Sequence, residues 1–321
     1  MNSAKDRGQR TLKGRVSLSG IGVHSGAPVS VTLSPADAGN GISFLRVNLP
    51  DSPDIEIPAR AAAVGSTELC TVLGDPMGAS VATVEHLLAA LAGLGIDNCL
   101  IEIDGPEVPV MDGSARDFVE AIDRAGTVAQ NAPKRMLRIE EPVRVELGSA
   151  FAEFLPNDRC RVEISIDYDC PVIGRQSHAI DLTPESFRRE IATARTYGYL
   201  RDVERLWAAG FALGSSLENT VVIGDGVVIN PDGLRHPDEF VRHKVLDTIG
   251  DLALAGAPIQ GLYRSHKGGH RLNAMALTAL FAREDAWTLA TASPEREPRA
   301  ESRVEHAPAL MTAAAFAPEV R

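Results

Sequence analysis

The chain has 321 residues, 44% hydrophobic and 23% charged, with a formal net charge of −11 at neutral pH. That length and apolar share suit an ordinary globular protein with material for about two cores. The acidic balance argues against nucleic acid or an anionic membrane as the main partner, because neutralising phosphates takes clustered Lys and Arg; a small anionic substrate held by one or two local cations stays open.

Residues 1–7 are polar, and nowhere do about 20 uncharged apolar residues run together. No targeting leader and no stable membrane insertion are therefore expected, and the chain is placed in the cytoplasm. Short strands and turns open the chain, as at 29–33, where Val29, Val31 and Leu33 alternate with Ser30 and Thr32. A helix over 83–91 carries Glu85 and His86, followed by a strand at 98–103, a Gly105-Pro106 turn and a helix over 114–124. The polar stretch 130–134 breaks the pattern, and strands near Ile139 and Val143 begin a second half.

That half repeats the order of the first: strands, a long helix bearing His243 and Asp247, then Gly256 and a strand over 259–263. Aligning His86 on His243 also sets Gly93 on Gly250, a weak similarity that chance alone also produces. Residues 1–131 and 132–293 are thus expected to be two related α+β halves, each offering a helix to a shared seam where a pocket forms. Residues 294–321 are too poor in large apolar groups to fold alone and are expected to be a flexible tail. Cys70, Cys99, Cys160 and Cys170 show no C-x-x-C spacing and read as reduced thiols.

His243 and Asp247 stand four residues apart, so on a helix they leave one face and can close on one metal ion. His86 is the obvious third ligand. Two nitrogens and an oxygen leave a tetrahedral zinc one position short, which is how catalytic sites differ from structural ones. A solvated His/Asp surface pair has the same spacing. Asp251, four residues further, extends a polar stripe along a helix whose Phe240, Val245, Leu246, Ile249 and Leu252 are apolar, and a buried stripe needs partners. A lone His86 on an Ala/Leu-rich helix equally suits a core histidine. Glu85 lies about 100° around the helix from it, placed for a general base, although the spacing is not H-E-x-x-H. His270 follows Gly268-Gly269 and reads either as a helix cap or, oriented by Asp251, as a charged stabiliser or acid. Lys244 is either solvated or set to meet an anionic substrate.

Five blocks go further: T-V-E-H-L at 83–87, L-A-G-L-G-I-D-N at 91–98, P-V-M-D-G-S-A at 109–115, A-R-T at 194–196 and D-E-F-V-R-H-K at 238–244. Together they resemble the UDP-3-O-acyl-N-acetylglucosamine deacetylase family, from about Thr11 to Trp287. The resemblance implies an α+β fold of two similar two-layer α/β-sandwich halves with helices packed at a shared seam, each half with a small insert. It implies zinc-dependent removal of the N-acetyl group of UDP-3-O-acyl-N-acetylglucosamine, the committed step of lipid A biosynthesis. One zinc would sit on His86, His243 and Asp247, with Glu85 as base, Thr196 as oxyanion donor and His270, oriented by Asp251, as stabiliser or acid. Substrate contacts would come from Lys244, Cys70 and an acyl-chain insert at about 197–222, through Tyr197, Tyr199, Leu200, Asp202, Val203, Ala212 and Val222.

Many relatives have Phe where this chain has Tyr197 and Tyr199, and Met or a small residue where it has Glu68. His24, in a further family block, reads as structural support. A His₂Asp site also accepts Fe²⁺. An amidohydrolase acting on another N-acyl group remains the enzymatic alternative. A metal-stabilised binding protein is disfavoured, since it has no use for a base and an oxyanion donor. A monomer is expected, with the tail segment 309–316 read as a handle for a regulatory protease.

Overall fold

The computed structural model describes residues 8–49 and 53–291; the tail expectations lie outside the described residues. The chain runs through β1 (Gly8–Leu12), β2 (Val16–Ile21), β3 (Pro28–Pro35), β4 (Ile42–Arg46) and β5 (Ile55–Pro58). A small sheet of β6 (Val64–Ser66), β7 (Val72–Gly74) and β8 (Ser80–Val81) precedes α1 (Glu85–Gly93). Then come β9 (Cys99–Ile103), α2 (Arg116–Ala125) and β10 (Thr127–Pro133).

The second series is β11 (Arg135–Ile139), β12 (Val143–Leu147), β13 (Ala150–Leu155), β14 (Cys160–Asp167) and β15 (Arg175–Asp181), followed by α3 (Pro184–Glu190). An insert of β16 (Tyr197–Tyr199), α4 (Val203–Ala208), β17 (Val221–Gly224) and β18 (Val227–Val228) leads into α5 (Glu239–Ala253). The described chain closes with β19 (Ile259–His266), α6 (His270–Phe281) and β20 (Trp287–Thr291).

One sheet has the order β2-β3-β9-β4-β5, with β4 and β9 parallel and the other pairs antiparallel. The path β12-β13-β19-β14-β15 repeats that order and those directions, with β14 and β19 as the parallel pair. β11 and β20 extend the second sheet beyond β19. Each sheet follows its sequence alternation: Val29, Val31 and Leu33 of β3 are buried, while Ser30 and Thr32 on the opposite face bond the hydroxyls of Ser19 and Ser17.

The polar stretch 130–134 closes β10 at Pro133 and leaves Lys134 between it and β11 of the second sheet. Most of it lies within β10, which pairs with β1, so the expected division at residue 131 falls inside a strand. Its polar groups are used there: Gln130 accepts from Asn98 Nδ2 at 2.8 Å and donates to the Ala36 carbonyl at 2.8 Å. His270 is the first residue of α6, at the helix N-terminus. The expected insert at 197–222 continues to Val228, because β17 needs β18 as its second partner.

α1 and α5 pack against each other, and α2 and α6 flank them. Eight of the nine residues of α1 are buried, so this Leu/Ala helix is enclosed on all sides rather than amphipathic. The contact with α5 is close at Gly250, where an added Cβ would collide with the Glu85 carbonyl oxygen. Ala in place of helical Gly normally gains about 1 kcal/mol, whereas overpacking against backbone costs about 1–3 kcal/mol or more. Gly250→Ala is therefore expected to lose at least about 1 kcal/mol in urea unfolding; a gain would show that the helices are not held at this distance.

Candidate metal centre

Thr83, just before α1, has φ +55°, a costly conformation for a β-branched residue. Its hydroxyl donates to Glu107 Oε1 at 2.8 Å. The buried Glu107 carboxylate also takes the backbone N–H groups of His24 and Ser25 at 2.9 and 2.8 Å, fixing the chain that aims α1. His24 stacks edge-on against Phe211 at 5.4 Å beside this support, where burial lowers its pKa.

α1 brings Glu85 and His86 to the seam, and α5 brings His243, Asp247 and Asp251. All five are buried. One donor atom from each of His86, His243 and Asp247 lies within 4.8 Å of the others. The Nε2 atoms of His243 and His86 stand 3.2 and 3.5 Å from Asp247 Oδ1, which is buried without a hydrogen-bond partner. His243 Nδ1 bonds the Ala194 carbonyl at 3.1 Å, which leaves Nε2 with its lone pair towards that oxygen. Burial lowers the His243 pKa to about 3, so the ring is neutral. Two imidazole nitrogens and an unpartnered carboxylate oxygen fit a divalent cation.

Lys244 Nζ donates to Asp247 Oδ2 at 2.7 Å. Burial opposes the Asp247 carboxylate, but the Lys244 cation bonded to it outweighs that cost and holds its pKa well below the usual range. Asp251 Oδ1 accepts from the Thr71 hydroxyl at 2.6 Å; Oδ2 accepts from Asn273 Nδ2 at 2.8 Å and stands 2.9 Å from His270 Nδ1. Burial works against an imidazolium at His270, yet Asp251 and Glu85 raise its pKa to about 10. Glu85 Oε2 accepts the Thr71 N–H at 3.1 Å, and Oε1 lies 3.7 Å from His270 Nε2. Desolvation raises the Glu85 pKa. Three carboxylates thus face two side-chain cations, leaving room for added positive charge.

Residues 9–282 match the family described as UDP-3-O-acyl N-acetylglycosamine deacetylase. Proteins named UDP-3-O-acyl-N-acetylglucosamine deacetylase from Brucella ovis and Brucella abortus are 53% identical over 282 residues, covering 88% of this chain and 98% of theirs. The Brucella melitensis protein of that name is 52% identical over the same coverage. The chain belongs to this deacetylase family. Its members are metalloenzymes, in keeping with the buried His₂Asp cluster.

The other expected site residues lie either near that cluster or in the insert. Thr196 is two residues beyond the Ala194 carbonyl that orients His243. The Tyr197 ring packs edge-on to Phe240 at 5.0 Å and His243 at 6.1 Å, and its hydroxyl bonds Tyr168 at 2.9 Å. Cys70 is buried near Glu85, and burial pushes its thiol up to about 12. In the insert, Tyr199 lies under Arg201 at 4.6 Å, Leu200 is exposed and Asp202 pairs with Arg205. Val203 starts α4, the Ala212 carbonyl accepts from Trp207 Nε1, and the Val222 N–H donates to Asn230. Glu68 is exposed.

Sequence reasoning missed Thr71 and Asn273, since a lone Thr or Asn far from its partner carries no pattern. It also gave no role to Glu239 or Arg195, although both stood in the quoted blocks. Glu239 is fully buried and takes four hydrogen bonds: Arg195 N, Nε and Nη2 at 3.0, 2.9 and 3.1 Å, and Arg235 N at 2.7 Å. The pair holds the loop carrying Ala194 and Thr196. Glu239→Gln leaves Arg195 buried without its counter-charge, so a loss of about 3–5 kcal/mol in chemical unfolding is expected; a loss under about 1 kcal/mol would show that the pair does not organise the loop.

Proposed function

We propose that this chain removes the N-acetyl group of UDP-3-O-acyl-N-acetylglucosamine in lipid A biosynthesis, using one zinc ion held by His86, His243 and Asp247. The observation that carries the reading is the convergence of those three groups with Glu85 and His270 on one buried seam. Zinc, when bound, supplies Lewis acidity and an open coordination position.

Glu85 is the general base. Thr71 N–H occupies Oε2, which leaves Oε1 to take the proton of the attacking water. The raised pKa of this buried carboxyl brings it closer to neutrality, where a base both accepts and returns a proton. His270 Nε2–H faces the same space as Oε1 and stabilises negative charge on the former carbonyl oxygen or protonates the departing amine. Thr196 adds a hydroxyl donor to that oxygen. Cleavage of the C–N bond, with water adding to carbon and the proton going to nitrogen, gives UDP-3-O-acyl-glucosamine and acetate.

Asp251 and Asn273 act by holding His270, and Lys244 by holding Asp247. The insert offers the acyl chain the apolar surface of Leu200, Val203, Ala212 and Val222, with Tyr197 and Tyr199 at its base; each buried CH₂ contributes about 0.8 kcal/mol. Cys70 would serve as a neutral wall. The proposed site is complete within one chain and needs no second copy, and the chain is taken to act as a monomer. Among the described residues no helix is long and apolar enough to cross a membrane. The four free cysteines suit a reducing compartment, and the cytoplasm is the proposed location.

Acetate release from substrate with and without the 3-O-acyl chain tests the reading. Activity should vanish on chelation and return with zinc. Glu85→Gln should lower kcat by about 10² or more with metal content unchanged. Equal turnover without the acyl chain would favour a different N-acyl substrate. Because the His270 pKa is raised to about 10, its charged form persists through neutral pH and is lost as pH rises through that value. The alkaline fall in kcat should therefore disappear in His270→Gln; an unchanged fall would remove His270 from this role.

A further inference from the structure

Beyond the metal centre, the same two helices wall a second cavity. Leu88 and Leu91 of α1 face Ile249 and Leu252 of α5, while Arg60 and Arg135 also border the space; none of the metal-site groups lines it. About 130 Å³ is open to the centres of water-sized molecules. One water needs about 10–15 Å³ of such space, and protein interiors keep few voids larger than a water. The cavity is therefore larger than a packing fault and apolar along its helices.

Its charges are unbalanced. Arg161 and Asp97 also line it, but Arg161 is paired with Glu163 and Asp181, and Asp97 with Lys134. Arg60 and Arg135 make no side-chain ion pair among the described residues. Burial and the Arg135 cation lower the Arg60 pKa, with no carboxylate opposing them. The Arg60 guanidinium is fitted between two glycines: a Cβ at Gly41 would lie 2.7 Å from Nη2, and one at Gly256 would collide with Nη1. Arg60 also lies by the end of α5, whose dipole supplies about half a negative charge against two guanidiniums.

We propose that this cavity is a second ligand site that takes a small amphiphilic anion of the fatty-carboxylate class, with its chain between α1 and α5 and its carboxylate on Arg60 and Arg135. Apolar walls select the chain and the paired cations select the head group. The walls are the helices that carry the metal ligands, so an occupant adjoins the catalytic seam without entering it.

The test is calorimetric titration of the full-length, zinc-loaded protein with hexanoate through dodecanoate, kept below micelle formation, and with decyltrimethylammonium as the cationic control. One-to-one binding is expected, with affinity rising about fourfold per added CH₂ until the space is filled, and with no binding of the cation. Arg135→Glu changes an exposed residue and should weaken decanoate at least tenfold while leaving deacetylation intact; Arg60→Met should weaken it likewise. Saturating UDP-sugar product should leave decanoate binding unchanged. Decanoate displaced by that product and indifferent to Arg135→Glu would lie in the catalytic site and overturn the proposal, as would no saturable binding by the folded protein. If deacetylase activity failed but arginine-dependent binding persisted, only the catalytic reading would fall.

Discussion

Three carboxylates, Glu85, Asp247 and Asp251, are buried in one seam between α1 and α5, and the surrounding structure is arranged to make that tolerable. A buried carboxylate without partners costs many kcal/mol. Asp251 meets it with Thr71, Asn273 and His270; Asp247 with Lys244 and two imidazoles; Glu85 with a backbone N–H and the charge of His270. Only Asp247 Oδ1 is left with two imidazole nitrogens beside it and no hydrogen-bond donor, an arrangement that suits a cation. The same order matches the proposed roles: the most hydrogen-bonded, Asp251, would position, the cation-paired Asp247 would ligate, and the least compensated, Glu85, would move protons.

The arrangement depends on helix spacing. Two sheets share one strand order, and Gly250 lets α5 approach the backbone of α1 at Glu85. Ligands from the two helices can then share one ion, and His270, heading α6, reaches Glu85 across the seam. The loop holding Ala194 and Thr196 is set independently by the Arg195–Glu239 pair, which ties it to the first turn of α5. Two separate constraints therefore converge on His243: its own helix and the carbonyl that fixes its tautomer.

The sequence made the α5 part of this legible. His243, Asp247 and Asp251 repeat every fourth residue, a regularity that survives without knowledge of the fold. Glu85 and His86 carry no such repeat: their roles were read from ligand number and helix angle with a core histidine as the equal alternative, and the resemblance of whole blocks then favoured the site. Thr71 was illegible because it lies 180 residues from Asp251 in the chain, a contact that only folding creates. The strand β10 was read as a break because Gln, Asn and Pro look like a linker, and the hydrogen bonds of Gln130 that use its polarity come from distant segments. The order of strands and helices in the two series was visible, whereas the parallel pairing of β14 with β19 was not, since register between distant strands leaves no local trace.

The most direct test of the account is anomalous diffraction from crystals of the purified, metal-loaded protein, recorded on both sides of the zinc absorption edge. One peak per chain is expected, bounded by His86, His243 and the Oδ1 atom of Asp247, and it should be missing in Asp247→Ala crystals grown alike. A saturated protein with no peak between these three residues, or with its ion held by other side chains, would contradict the account.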